Sequence, residues 1–182
     1  MDEGGQHAPL VVVMGVAGSG KSAVGVLLAE RLGIDYGEAD EFHPQANVDK
    51  MASGHPLTDN DREPWLKAIG AWLHERVDSG AVASCSALRR RYRDTLRSEA
   101  PSVLFLHLAG THELIARRMA AREGHFMPTS LLDSQFATLE PLDDDETGVV
   151  IDVGRPVHAI VEEFLDWWGR YQTTTKEVGT DE

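Results

Sequence analysis

A glycine-rich run at residues 15–22 contains the clearest chemical signal in this 182-residue chain. Its letters, GVAGSGKS, match the G-x-x-x-x-G-K-[ST] pattern of a loop that cradles phosphates. The backbone N–H groups of such a loop point inward, and the following helix directs the positive end of its dipole to the same place. Lys21 would reach the β- and γ-phosphates of a nucleoside triphosphate, and the Ser22 hydroxyl would bind Mg²⁺. We predict nucleotide contacts at Gly15, Ala17, Gly18, Ser19, Gly20, Lys21 and Ser22.

The elements around this loop alternate between strand and helix. β-Branched residues at 11–13 favour a buried strand before the loop, and a helix is predicted after it at 23–32. Further strands are predicted at 34–36, 81–85, 103–108 and 148–153, and further helices near 44–53, 61–79, 88–99, 111–122, 130–139 and 156–169. This alternation predicts an α/β fold, a three-layer α/β/α sandwich around a parallel five-stranded sheet. We expect one domain over 9–170, flexible tails at 1–8 and 171–182, and a solvated acidic loop at 140–146.

Composition and charge exclude several classes of protein. The net charge of −13 argues against a nucleic-acid partner, which needs a basic face. The single cysteine is consistent with a reducing cytoplasm, and no apolar stretch has the length of a membrane span. The guanine-reading N-K-x-D pattern of GTPases is absent from the sequence. The chain is therefore expected to be cytoplasmic, with no membrane partner.

Positive charge is concentrated in two short segments of this acidic chain. Five of the 17 basic residues lie at 89–97 and three lie at 117–122. An arginine-rich segment about a hundred residues after a phosphate loop is typical of a small-metabolite kinase with a mobile lid, predicted here at about 118–138. Such a lid keeps water away from the phosphoryl group that is transferred.

Two further motifs resemble those of the gluconate kinases. Residues 40–44 read D-x-x-H-P and residues 59–65 read D-x-D-R-x-P-W, and the resemblance continues in order from about residue 11 to residue 167. It implies ATP-dependent phosphorylation of D-gluconate at its 6-hydroxyl, in a fold similar to the nucleoside monophosphate kinases with a helical lid. It also implies a homodimer. Lys50, His125 and Gln135 lie in segments that match the family and are implied substrate contacts.

The substrate suggests roles for three residues in these motifs. Asp40 follows the second predicted strand, at the sheet edge where α/β folds bind ligands, and the motif match makes it the acceptor of the 6-hydroxyl proton. His43 could donate to a substrate hydroxyl or could pack at the turn before Pro44. Arg62 is the favoured clamp for the gluconate carboxylate because its planar fork matches a carboxylate. Next to it, Asp59 is expected to cap a helix, and Trp65 to pack in the core.

Other arginines are predicted to hold substrate or nucleotide. Arg89 and Arg93 recur with Arg97 at every fourth residue, so they share one helix face, and one or two of them are expected to face substrate or phosphate. By resemblance, Arg122 closes on the transferring phosphoryl group and Arg118 lies near the adenine. Arg155 and Pro156 resemble the loop at the adenine edge.

One position departs from the gluconate kinase pattern. The family usually has Asp-x-Asp after strand two, whereas this chain has Glu38-Ala39-Asp40. Glu38 is predicted to keep the Mg²⁺ role through water, or Mg²⁺ depends on Ser22 alone. Two alternatives stay open at this point: a related kinase acting on shikimate or another polyol acid, and a nucleotide-binding regulator without transfer activity.

Overall fold

A computed structural model describes residues 7–122 and 129–178 of the chain. Five strands and seven α-helices are described, with one 3₁₀ turn at Ala39–Phe42. In chain order they are β1 (Leu10–Met14), α1 (Lys21–Leu32), β2 (Asp35–Glu38), α2 (Gln45–Ala52), α3 (Asp59–His74), β3 (Ala81–Ser84), α4 (Arg90–Glu99), β4 (Leu104–Ala109), α5 (His112–Ala120), α6 (Thr129–Thr138), β5 (Gly148–Asp152) and α7 (Val157–Val178).

The five strands form one parallel sheet in the order β2-β3-β1-β4-β5. Side chains alternate across the sheet, so successive residues of β1 enter different cores. Val12 packs on the face covered by α3 and α4, whereas Val11 and Val13 pack on the face covered by α1 and α7. The predicted parallel five-stranded α/β fold is confirmed.

The chain direction at β1 explains where a site must form. Its neighbours β3 and β4 lie on opposite sides of it. The chain places β2 and β3 on one side of β1 and then places β4 and β5 on the other. In open α/β sheets, such a reversal opens a crevice beyond the carboxyl ends of the strands. The loop after β1 and the segments after β2 and β3 meet at that edge.

Two details of the elements differ from the sequence predictions. The last helix continues to Val178 instead of ending near 169, because the hydroxyls of Thr173, Thr174 and Thr175 bond to carbonyls four residues earlier and Tyr171 stacks on Trp167. Residues 171–178 are therefore helical.

None of the helices in the described part of the chain has both the length and the apolar character that crossing a membrane requires.

The start of α3 is capped by a different residue from the one expected. Thr58, not Asp59, is the N-cap: its hydroxyl accepts from the Asp61 N–H at 3.2 Å, and the Asp61 carboxylate accepts from the Thr58 N–H at 2.7 Å. This reciprocal pair satisfies two N–H groups at the helix start. It fixes the direction in which α3 presents Arg62 and Trp65.

Candidate active site

A cleft of about 350 Å³ opens at the carboxyl edge of the sheet. The phosphate loop forms one wall, and the segments that follow β2 and β3 form the others. Its lining comprises Ala17, Gly18, Gly20, Lys21, Ser22, Ala23, Glu38, Ala39, Asp40, Trp65, Ser84, Cys85, Ser86, Arg122 and Gln135. The predicted nucleotide loop, proton acceptor and lid arginine therefore line one cavity.

The phosphate loop leaves the first N–H groups of α1 available to an anion. Gly20 precedes α1 in the left-handed region, with φ of 93°, and has no side chain with which to cap the helix. The free N–H groups at this helix start are donors for phosphate oxygens. Gly18, with φ of 78°, approaches α5 so closely that a Cβ there would lie 2.6 Å from Met119 Cγ. The loop requires glycine at both positions.

Lys21 lies across the phosphate loop rather than in solvent. Its ammonium donates to the Val16 carbonyl at 3.0 Å. Burial lowers the pKa of Lys21, while Cys85, Glu38 and Asp40 act in the opposite direction. A phosphate in the cleft would supply the negative charge that this desolvated ammonium needs.

Ser22 and Glu38, the two residues suggested for a metal site, lie next to each other. The Ser22 hydroxyl donates to Glu38 Oε2 at 2.8 Å, and Tyr36 donates to the same oxygen at 2.6 Å. Burial first, and the bond to Glu38 second, raise the pKa of Tyr36 to about 12, so the phenol stays a donor. A hydroxyl and a carboxylate beside a phosphate loop suit Mg²⁺, which prefers oxygen ligands and completes its shell with phosphate and water.

No larger metal centre competes with this pair among the residues that the structure describes. The described residues contain no group of three or more His, Cys, Asp or Glu side chains that could hold an ion by themselves. A cation in this cleft would therefore depend on substrate phosphates as well as on protein oxygens.

A second wall of the cleft presents Asp40, and His43 lies close by against Trp65. Asp40 is exposed in the 3₁₀ turn after β2, and the indole of Trp65 fixes that turn by donating to the Ala39 carbonyl at 2.7 Å. The His43 ring stacks on Trp65 with centroids 4.4 Å apart. Burial lowers the pKa of His43, against the opposing charge of Asp40, so the neutral ring is favoured. Trp65 packs against the core, as expected, and it also lines the cleft and supports both residues.

Arg62 is only loosely held by its own chain. One guanidinium nitrogen lies 3.5 Å from Asp59 and 3.4 Å from the Tyr92 hydroxyl. Asp59 is engaged more closely elsewhere, accepting from Tyr92 at 2.5 Å and pairing with Arg91 at 2.6 Å. The remaining nitrogens of Arg62 have no hydrogen-bond partner among the residues that the structure describes, so they can bind a ligand carboxylate.

The helix of the predicted lid contacts the phosphate loop directly. Gln135 on α6 accepts from the Ala17 N–H at 2.6 Å, while Leu132 packs with Val16 in a small apolar cluster. Arg122, which follows α5, also lines the cleft. The predicted substrate contact His125 lies outside the described residues.

Comparisons with known proteins agree on the type of enzyme. The sequence model of a family described as shikimate kinase matches residues 17–167. A gluconokinase from Gluconobacter oxydans is 47% identical, with 85% of this chain and 88% of that protein aligned. The thermoresistant gluconokinase of Escherichia coli K12 is 42% identical, with 86% and 91% aligned. The crystal structure of a gluconokinase from Sinorhizobium meliloti has a TM-score of 0.84 at 46% identity, covering 94% of this chain and 98% of that one.

The chain belongs to the gluconokinase family. The resemblance predicted from the motifs at 40–44 and 59–65 is thus confirmed. So is the class of enzyme, an ATP-using kinase with a phosphate loop. The gluconokinase relationship spans most of both chains, so it covers the phosphate loop, the Asp40 turn and the arginine-rich helices together.

One predicted substrate contact of this gluconokinase family member is corrected by the structure. Arg93 is fully buried, and its guanidinium binds Glu146 through two bonds of 2.7 and 2.9 Å. It therefore points into the protein and not into the cleft. The same pairing corrects the prediction of a fully solvated loop at 140–146, because the Glu146 side chain has no exposure.

Three other predicted contacts are held by partners in the gluconokinase fold. Lys50 pairs with Asp61 at 2.6 Å at the start of α3, which places it beside the Arg62 turn. Arg118 donates to the Val153 carbonyl at 2.5 Å and so ties α5 to the loop after β5. Arg155 in that loop pairs with Glu163, and Pro156 begins the first turn of α7.

Sequence reasoning missed the residues at the end of β3 and directly after it. Ser84 lines the cleft and donates to the Lys21 carbonyl at 3.0 Å, which holds β3 against the start of α1. Cys85 and Ser86 continue the same wall. Their position at the carboxyl end of a predicted strand beside β1 was the available signal. Burial raises the pKa of the Cys85 thiol to about 12.

Proposed function

We propose that this chain transfers the γ-phosphoryl group of ATP to the 6-hydroxyl of D-gluconate, giving 6-phosphogluconate and ADP. One observation supports this most strongly: a carboxylate that can accept a proton, Asp40, lines the same cleft as the phosphate-loop lysine. The gluconokinase relatives supply the identity of the acceptor.

Different residues of the cleft bind the nucleotide, the acceptor and the metal during phosphoryl transfer. The phosphate-loop N–H groups and Lys21 bind the β- and γ-phosphates and offset negative charge as it shifts during transfer. Asp40 orients the 6-hydroxyl and accepts its proton. When bound, Mg²⁺ would be held by Ser22 and Glu38 and would neutralise phosphate oxygens.

Gluconate is held at its other end by its carboxylate. We propose Arg62 as the clamp, with Arg89 as a second cation, since Arg89 has no ion-pair or hydrogen-bond partner for its side chain within the described parts of the chain. His43 donates to a substrate hydroxyl, and Lys50 supports the clamp through Asp61.

The lid completes the site. We propose that Arg122 stabilises the transferring phosphoryl group and that Gln135 and His125 close over the substrate, which excludes water from the reaction. Arg118, Arg155 and Pro156 form the adenine edge. We further propose a cytoplasmic homodimer, as the family resemblance implies, which sedimentation velocity can test.

An assay of ADP release across a panel of acceptors tests the proposed reaction. D-Gluconate should support turnover well above other aldonates and shikimate, and phosphorus NMR should show the product as a 6-phosphate ester. The Lys21→Ala variant is the negative control, and Lys67→Ala, an exposed lysine paired with Glu63 on α3, is its matched positive control. Equal turnover with shikimate, or none with gluconate, would reject the assignment.

A further inference from the structure

The segment after β3 contains an unusual backbone conformation. Ala87 has φ of 42°, and it is the one described non-glycine residue with positive φ. Residues with a Cβ adopt this left-handed region at an energetic cost. Ala87 is also buried, so the surrounding structure must hold it there.

The buried guanidinium of Arg93 holds this conformation in place. One of its terminal nitrogens donates to the Ala87 carbonyl at 3.0 Å and lies 3.4 Å from that of Leu88. Its opposite edge binds Glu146 through both carboxylate oxygens. Glu146 is fixed in turn by the Asp143 N–H at 2.8 Å and by Arg97 at 2.8 Å.

The residues on either side of Ala87 connect the phosphate loop to the start of α4. The Ser86 carbonyl accepts from the Gly15 N–H at 3.2 Å, at the beginning of the phosphate loop. On the other side of Ala87, the Leu88 carbonyl accepts from the Glu140 N–H at 2.7 Å, and Arg89 is the N-cap residue that precedes α4. A change at Ala87 would therefore move Arg89 relative to the phosphate loop.

We propose that Arg93 and Glu146 are positioning residues that hold residues 85–89 in the left-handed turn and thereby aim Arg89 at the sugar acid. This inference rests on the proposed function, in which Arg89 binds the gluconate carboxylate. Arg93 itself touches no substrate. Its charge is satisfied inside the protein and its effect on catalysis passes through the backbone of Ala87.

The test removes both charges of the buried pair, and Arg97, which also contacts Glu146, keeps its ion pair with Asp94. Arg93→Met combined with Glu146→Leu replaces the pair by apolar side chains of similar length, a change that buried ion pairs often tolerate. Since small misplacements of a binding group reduce rates strongly, we expect the KM for gluconate to rise about tenfold or more, while the KM for ATP changes less than about threefold.

A rescue experiment separates positioning from general stability. Glycine adopts the left-handed region without strain, so adding Ala87→Gly to the double variant should recover about fivefold of the lost gluconate affinity. Ala87→Gly alone should leave KM near wild type. A purely structural pair would lower the melting temperature, leave the gluconate KM unchanged and show no rescue, which would overturn the proposal.

Two more variants test the proposal if the double variant does not fold and provide a control in the same loop. Arg93→Lys keeps the charge beside Glu146 but cannot bridge to Ala87, so it should raise the gluconate KM even if the double variant fails to fold. Wild-type KM in Arg93→Lys would overturn the proposal. Arg90→Met is the matched control, since Arg90 binds Asp143 and Asp145 in the same loop without contacting Ala87. Failure of the wild-type protein to phosphorylate gluconate would instead reject the proposed function.

Discussion

The Ser22 hydroxyl donates a hydrogen bond to the Glu38 carboxylate over 2.8 Å, across the mouth of the phosphate loop. The longer side chain of glutamate, where the family usually has aspartate, thus reaches the serine directly. Both oxygens are placed to share one cation with the nucleotide phosphates. In the function proposed above, this relationship assigns the metal to Glu38 and the acceptor hydroxyl to Asp40.

Glu38→Gln is expected to act through the metal. The amide keeps the shape but loses the charge that attracts Mg²⁺, so activity should fall at low Mg²⁺ and recover as Mg²⁺ is raised. Steady-state rates over a Mg²⁺ titration measure this, with the wild-type enzyme as reference. A defect that is constant at all Mg²⁺ concentrations would remove Glu38 from the metal site.

Asp40→Asn is expected to reduce turnover by about 10²–10⁴, the usual contribution of a positioned general base. The substitution keeps the shape of the side chain, so the affinity for ATP should stay close to wild type. Turnover with saturating gluconate and ATP binding by calorimetry give the two quantities. Rescue of this variant by Mg²⁺, with none for Glu38→Gln, would mean that the two carboxylates have exchanged roles.

Arg62→Ala is expected to raise the KM for gluconate by about tenfold or more, since losing one side of a charged pair typically costs about 2–5 kcal/mol when it is buried. Arg62 is partly exposed, which places the effect toward the lower end. The KM for ATP should change little. Arg62→Lys, which lacks the planar fork, should recover only part of the affinity. An unchanged gluconate KM would reject the clamp.

The stability of the fold should fall in acid in two steps. Burial first, and the Arg93 charge second, lower the pKa of His107 from 6.5 to about 4. The unfolded chain therefore binds a proton more readily than the native one, and about 3 kcal/mol of stability present above pH 6.5 is lost as the pH falls toward 4.

Glu146 governs the lower step. Burial alone would raise its pKa, but bonds from Arg93, the Asp143 backbone and Arg97 outweigh that effect and lower the pKa to about 2 from 4.5. Its stabilisation is present above pH 4.5 and is lost between pH 4.5 and 2. Urea unfolding as a function of pH measures both steps. His107→Leu should flatten the curve between pH 6.5 and 4, and an unchanged slope there would contradict the assignment.

Local patterns were sufficient to predict the sheet and the phosphate loop. Few folds other than a phosphate-loop α/β fold contain a strand of three valines followed by a glycine loop and a helix. The crevice beside β1 then follows from the parallel topology. The spacing of Arg93 and Arg97 gave a shared helix face correctly, since both bind Glu146, but Arg89 precedes the helix in an extended conformation. It could not show which way that face points.

The errors arise from contacts between residues far apart in the chain. Arg93 binds Glu146, which is 53 residues away in the sequence. The sequence of the acidic loop at 140–146 does not show which of its carboxylates is buried. Trp65 has the spacing of a core residue and does pack against the core, but its spacing does not show that the same ring also lines the cleft and contacts the Ala39 turn and His43. Such pairings depend on how the elements dock and not on local periodicity.

The buried thiol of Cys85 makes this protein a convenient scaffold for site-specific labelling. It is the single cysteine of the sequence, it is 2% exposed, and burial raises its pKa, so we expect little reaction with maleimides at neutral pH. Cysteines introduced at exposed positions such as Val26 on α1 and Leu131 on α6 would carry dyes without competition from the native residue. A fluorophore pair at those two sites would show in single molecules whether α6 moves relative to the phosphate loop.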